Sequence, residues 1–332
     1  MSKPTDVGSF WKARQPPALF PGLNQREQLI YDYAAERLGG VKPPTTHLLG
    51  VKYWDGTTPI PVIPPASLAA INAGGEQSYS IWSSNPSAPV GLAAGSVAEL
   101  SMGSYFSLNW VAPAIQITGG NGGYYGLGNE PETTYSDNCD PVTFATQLQS
   151  YVGAIRAQDP AAKFVGPNLT SWTDDPGGGS LPWGSPKAWF AAMVSSYHTQ
   201  FGVSPPYDRL GVHCYINDDG TTAFIGHVPF MQMLNSFSTD AVTYGYSPNV
   251  WMTEGAVFFT NQQTTQPLSP TQLDLVTQYA TNQVNGPVER LYYFQGGPLG
   301  WQDGSYGARA PFDRNNSWAV TDVGVALAAV FA

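Results

Sequence analysis

The strongest constraint on this chain is a rhythm. Five apolar stretches end near Glu130, Pro167, Tyr215, Glu254 and Gln295, with a helical pattern after each of the first four. The interval is about 40 residues, the length of one strand plus one helix. Strands alternating with helices run parallel, and even repetition favours a closed (β/α)8 barrel over an open sheet. The chain has 332 residues; a barrel of this kind needs about 250.

The helix starts carry their own signals. Asp140-Pro141 and Ser185-Pro186 each place a capping side chain before a proline at the first helical position. Ser269-Pro270-Thr271-Gln272 adds a capping box. Phe230 to Phe237 reads as a further helix, and Trp318 to Phe331 as an apolar terminal one. The chain before Glu130 is less regular. His47 to Trp54 and Ser78 to Trp82 read as strands, and Ser67 to Asn72 as a short helix. Val97 to Met102 reads as another short helix, and Tyr105 to Trp110 and Ile115 to Ile117 as strands. Residues 1–45 read as an irregular arm followed by a helix from Asn24 to Leu38, packed on a barrel formed by residues 46–332.

Two strand tips end on a carboxylate. In Tyr124-Tyr125-Gly126-Leu127-Gly128-Asn129-Glu130-Pro131, the glycines keep one face small and Pro131 stops the ladder. In Val250-Trp251-Met252-Thr253-Glu254-Gly255, period-2 alternation puts Val250, Met252 and Glu254 on one face. Barrel sites lie at the C-terminal strand ends, and two such glutamates are what a two-carboxylate sugar hydrolase requires.

Asn129-Glu130-Pro131 and Trp251-x-Thr253-Glu254-Gly255 resemble motifs of clan A of the glycoside hydrolases. Gly211-Val212-His213-Cys214-Tyr215 and Phe164-Val165-Gly166-Pro167 resemble strands six and five of the same group. The resemblance implies a retaining enzyme on a (β/α)8 barrel, with Glu130 as acid/base and Glu254 as nucleophile. It also implies that Asn129 meets a sugar hydroxyl beside the scissile bond. One departure stands out: clan A members often carry an arginine near the end of strand two, and no arginine lies between Lys52 and Arg156. That leaves the support of the nucleophile unassigned.

His213 and Tyr215 share one face of their strand, from which Tyr215 can bond Glu254 and His213 can do the same or bind substrate. Trp172, Tyr293, Gln295 and Trp301 are candidate substrate contacts at the rim, the aromatics as platforms for sugar rings. Aromatics make up 13% of the chain and charged residues only 11%, against about 25% charged in an ordinary soluble domain. An aromatic rim suggests several subsites and endo action on a β-linked poly- or oligosaccharide. An inverting hydrolase with wider carboxylate spacing and a non-catalytic carbohydrate-binding barrel are the alternatives.

The net charge of −10 argues against nucleic acid and anionic membrane surfaces as partners. No apolar run is long enough to span a bilayer. Met1 to Gln15 show no secretory pattern, although a polysaccharide substrate favours an extracellular location. His47, His198 and His227 lack metal-ligand spacing, and no metal or organic cofactor is expected. Cys139 and Cys214 are the only cysteines; a bridge between them is not expected, and Cys214 should face away from the barrel axis. Asp174 to Gly179 reads as a flexible rim rather than a calcium loop. Asn168-Leu169-Thr170 and Asn315-Asn316-Ser317 are sequons. Oligomeric state is not legible.

Overall fold

A computed structural model describes residues 48–53, 63–70, 77–81, 96–175, 180–223, 226–258, 268–294, 310–313 and 319–331. The expected N-terminal arm and helix, Gln295, Trp301 and the sequon at Asn315 lie outside the described residues. Eight parallel strands form a closed barrel in sequence order. They are β1 (Leu48–Tyr53), β2 (Gln77–Ile81), β3 (Val97–Leu100), β4 (Tyr124–Leu127), β5 (Lys163–Leu169), β6 (Arg209–Ile216), β7 (Val250–Val257) and β8 (Val288–Phe294). Pairing of β1 with β8, from Leu48↔Arg290 to Lys52↔Phe294, closes the circle.

The helices are α1 (Pro65–Ala70), α2 (Val111–Thr118), α3 (Pro141–Arg156), α4 (Pro186–Phe201), α5 (Phe230–Thr243), α6 (Pro270–Val284) and α7 (Asp322–Val330). Their starts follow from the capping residues. Asp140 accepts from the amides of Val142 and Thr143, and Ser185 from that of Ala188. Ser269 and Gln272 form both bonds of the capping box. Each such cap contributes about 1 kcal/mol. Residues 319–320, expected to be helical, instead pair with Phe312–Asp313 as a two-stranded ribbon, β9 (Phe312–Asp313) and β10 (Ala319–Val320).

The first half departs from the sequence reading in two places. Val97–Leu100 is a strand, not a helix: Ser78↔Val97 on one side and Ala98↔Tyr125 on the other tie it into the barrel. Ladder bonds from two neighbours override the helix preference of Ala, Glu and Leu. The runs expected as strands after it are two 3-10 turns (Gly103–Tyr105 and Leu108–Trp110) and α2. Val111, Ala114, Ile117 and Thr118 are the buried positions of α2, a helical period that a three-residue apolar run conceals.

Two layers of core result. Most buried side chains lie between the sheet and the helices. A separate cluster joins Val97, Val165, Trp251 and Tyr292, with Tyr124 against it. These come from β3, β5, β7, β8 and β4, so they meet inside the bore. Arg290 caps the cluster, 4.5 Å from the Trp251 ring and 5.3 Å from that of Tyr124. The bore is therefore filled by side chains at this level, as in other eight-stranded barrels.

Candidate active site

The polar site is built one level further toward the C-terminal strand ends. Lys52 of β1 is fully buried and lies 2.6 Å from Oε1 of Glu99 on β3. Its ammonium also contacts Oε1 of Glu254 on β7. The Tyr215 hydroxyl donates to the other Glu254 oxygen. Gly126 of β4 makes room for this layer, since a Cβ there would sit 3.2 Å from the Glu99 side chain.

Glu254 reaches the bore through an irregularity. Val212 and His213 of β6 pair with Met252 and Glu254, and Leu291 and Tyr293 of β8 pair with Met252 and Gly255. Both neighbours thus see one extra residue in β7, a bulge that re-aims the following side chain. The expected face shared by Met252 and Glu254 is corrected accordingly. Met252 points to α6, where its sulfur meets the Tyr279 hydroxyl, whereas Glu254 joins the interior with Trp251.

Glu130 sits in the turn beyond β4 with φ +46°, and Asn168 at the register shift of β5, between Pro167 and Leu169, with φ +59°. Both are in the left-handed region, which costs a non-glycine residue on the order of 1–2 kcal/mol. The surrounding bonds hold them there. The Glu130 amide donates to the Asn168 carbonyl at 2.9 Å. Asn168 Nδ2 donates to Gly128 O at 2.8 Å and to Glu99 Oε2 at 3.1 Å. Behind the turn, Asp137 accepts from the Asn129 amide at 2.7 Å, and Glu132 from the Thr170 amide at 2.7 Å. Burial pushes both carboxyls up to about 8.

His213 connects the two halves of the site. Its Nδ1 lies 2.8 Å from Glu130 Oε1 and 3.6 Å from Glu254 Oε2. One donor atom each from Glu130, His213 and Glu254 falls within 4.8 Å of the others. Lys52 already supplies the positive charge against Glu254, so the trio reads as a hydrogen-bonded cluster and not as a cation cage. Burial alone would raise the Glu254 pKa; the charges of His213 and Lys52 and the Lys52 and Tyr215 bonds outweigh it and hold the carboxyl below its usual value. Burial likewise opposes the charged forms of His213 and Lys52, yet the neighbouring carboxylates raise both.

The structure brings together Glu130, Glu254, Asn129, His213 and Tyr215 among the expected site residues. Asn129 is tied inward, its Nδ2 donating to Ser136 at 3.0 Å, which leaves Oδ1 without a partner among the described residues. Two expected substrate contacts, Trp172 and Tyr293, need correction. His213, expected either to bond Glu254 or to bind substrate, is fully buried with its Nδ1 beside both carboxylates. Trp172 is 3% exposed, packed between Phe190 and Phe237, with its indole N–H donating to Asp240. Tyr293 is 0% exposed and faces the helix layer near Tyr279. A ring covered on its faces offers no platform to a sugar.

Asn168 is fully buried, so its sequon is not a surface acceptor. Both cysteines are free; Cys214 lies in the core between sheet and helices, and burial pushes the Cys139 thiol up to about 12. No described helix is long and apolar enough to cross a membrane. Lys52 and Glu99 are the buried charged residues beside Glu254 that the sequence reading missed. A lone lysine in an apolar strand, and a glutamate inside Val-Ala-Glu-Leu, were the available signals.

Comparison with known proteins supplies a family. No curated protein matches the chain. Among solved structures, an endo-β-1,3-glucanase of family GH128 from Pseudomonas viridiflava superposes with a TM-score of 0.57 at 21% identity, covering 85% of this chain and 98% of that one. A second GH128 endo-β-1,3-glucanase, from Sorangium cellulosum, gives 0.57 at 14% identity over 85% and 97%. A curdlan-specific exo-β-1,3-glucanase from Blastomyces gilchristii gives 0.52 at 18% over 84% and 97%. At these identities the likeness is one of fold. The profile of the glycosyl hydrolase catalytic core matches residues 101–324, a span that holds both glutamates and His213. The chain belongs to the glycosyl hydrolase catalytic core family.

Proposed function

We propose that the protein is a retaining glycoside hydrolase of β-linked glucan, with Glu254 as nucleophile and Glu130 as acid/base. One observation carries the reading: a carboxylate oxygen of Glu130 lies within 4.8 Å of one of Glu254. Retaining enzymes hold the two groups about 5–5.5 Å apart, whereas inverting ones leave about 6.5–9.5 Å for a water. A β-1,3-glucan is the first substrate to test, because barrels of similar fold are described as acting on that polymer. Endo action is proposed on the same footing.

In the first step an oxygen of Glu254 bonds to the anomeric carbon as the glycosidic C–O bond breaks. The leaving oxygen takes the proton of Glu130. Negative charge thereby passes from Glu254 to Glu130. His213 lies within reach of both, so it faces whichever carboxylate is the anion. In the second step Glu130 takes a proton from water, the water oxygen bonds to the anomeric carbon, and Glu254 leaves as carboxylate.

Hydrolysis of a soluble β-1,3-glucan, followed by proton NMR of the first-formed products, tests the reading. The expected first anomer is β, with internal cleavage releasing a ladder of oligosaccharides. An α anomer first would make the enzyme inverting. Absence of hydrolysis across a panel of β-glucans would overturn the substrate assignment.

A further inference from the structure

Lys52 stands between two carboxylates, and only one of them takes part in the proposed chemistry. Lys52, Glu99 and Glu254 are at most 10% exposed. Water therefore does little to screen their charges, and removing one partner leaves the others poorly compensated. Covalent chemistry at Glu254 does just that. When its oxygen bonds to the anomeric carbon, the carboxylate becomes a neutral ester and Lys52 loses one of its two anions.

We propose that Glu99 is a positioning residue, the standing counter-ion that holds Lys52 in place while the charge on Glu254 comes and goes. The inference rests on the retaining reading above. With Glu254 ionised, Lys52 is shared between Glu254 and Glu99, so the nucleophile is kept anionic without being locked in an exclusive ion pair. With Glu254 esterified, Lys52 remains paired to Glu99 and does not stand as an isolated cation beside a sugar carbon that is itself becoming positive. Asn168 fixes Glu99 in this role: its Nδ2 donates to Oε2 while Lys52 takes Oε1. The same Asn168 accepts the Glu130 amide through its carbonyl, so one residue orients both the acid/base and the counter-ion. Lys52 thus fills the place of the cation that the arginine-free stretch between Lys52 and Arg156 lacks.

The groups that bear on this charge balance come from several elements. Glu99 of β3 and Glu254 of β7 face Lys52 directly. His213 of β6, Glu130 after β4 and Asp137 behind the turn are close enough to act through their charges.

The test is a double-mutant cycle of Glu99→Gln and Lys52→Met, read by kinetics on a β-1,3-glucan oligosaccharide and by carboxyl carbon-13 NMR titration of Glu254. In K52M the Glu254 midpoint and the acid limb of kcat/KM should both rise, by about one pH unit or more. In E99Q both should fall, because Lys52 then serves Glu254 alone, and kcat should drop about 10-fold or more with KM nearly constant. Adding E99Q to K52M should cost little further, since Glu99 acts through Lys52. Lys52→Arg, which keeps the charge, should retain most of the parental acid limb.

Unchanged kcat and midpoint in E99Q would overturn the proposal, as would an equal cost of E99Q with and without Lys52. The titration needs no turnover. Shifted midpoints in a parent that cleaves no glucan would uphold the Lys52–Glu99 coupling while removing the hydrolase reading. Should E99Q alone fail to fold, the comparison of K52M with the double variant, together with Glu99→Asp, decides the same question.

Discussion

The two halves of the barrel divide the work. From β4 onward the strands lead into long helices, α3, α4, α5 and α6, of 14 to 16 residues, and this half supplies Glu130, His213, Tyr215 and Glu254. Before β4 the strands are 4 to 6 residues long and α1 has only six, yet this half supplies Lys52 and Glu99. The family match begins at Ser101 and so includes the first set and excludes the second. Under the proposed reading, groups which react and groups which balance their charge need not share a scaffold of equal regularity. The reacting groups require fixed separation; a counter-ion requires only burial and one good bond.

Substitution of the glutamates should show the largest effect. Glu254→Gln should lower kcat by about 10⁴-fold or more. Glu130→Gln should cost about 10²–10⁴-fold on a poor leaving group, and less on an activated aryl glycoside. If K52M cost as much as E254Q, the division between reacting and balancing halves would break.

Next comes Trp172→Ala, expected to destabilise by about 3–5 kcal/mol through a core cavity while kcat/KM of the folded fraction stays near parental. Denaturant melts and kinetics on the same sample separate the two. A loss of affinity for long glucans with unchanged stability would return Trp172 to the substrate side.

The Asp137 and Glu132 carboxyls sharpen the comparison further. Their folded pKa of about 8 lies above the ordinary carboxyl value. Their contribution to stability is complete below about pH 4 and is lost as pH rises toward 8, because only the unfolded chain ionises in that window. Asp137→Asn should flatten this decline in a series of melts from pH 5 to 8. The smallest effect is that of Asp140→Ala, about 1 kcal/mol from loss of the α3 cap. A measured zero would mean that α3 is held by packing alone.

Legibility in the sequence followed the same division. Caps with proline at Asp140, Ser185 and Ser269 announced three helices, because a capping side chain and a missing amide are local properties. The place of Glu130 just past β4 was legible because a strand-ending proline is a local signal too, as was the Tyr215 contact with Glu254, although β7 runs three residues beyond Glu254 to Val257. Val97–Leu100 was not. Four residues are too few to show a period, and Ala, Glu and Leu favour a helix until two neighbouring strands claim their amides. The face of Glu254 was misjudged because a bulge breaks strict alternation, and its extra residue is visible only against β6 and β8. Trp172 and Tyr293 were misplaced for a different reason. Aromatic residues near a strand end serve the helix interface as readily as a binding rim, and only the packing partners, Phe237 and Tyr279, distinguish the two.

The cluster of Trp251, Tyr124, Tyr292, Val97 and Val165 has a bearing on turnover. Among the described residues it stoppers the floor beneath Lys52 and Glu254, leaving the strand tips as the doorway. Under the retaining reading, the departing sugar, the incoming water and any second oligosaccharide must all queue at that doorway. A sugar that lingers there is an acceptor as well placed as water. At high oligosaccharide concentration the protein should therefore build longer chains as well as shorten them.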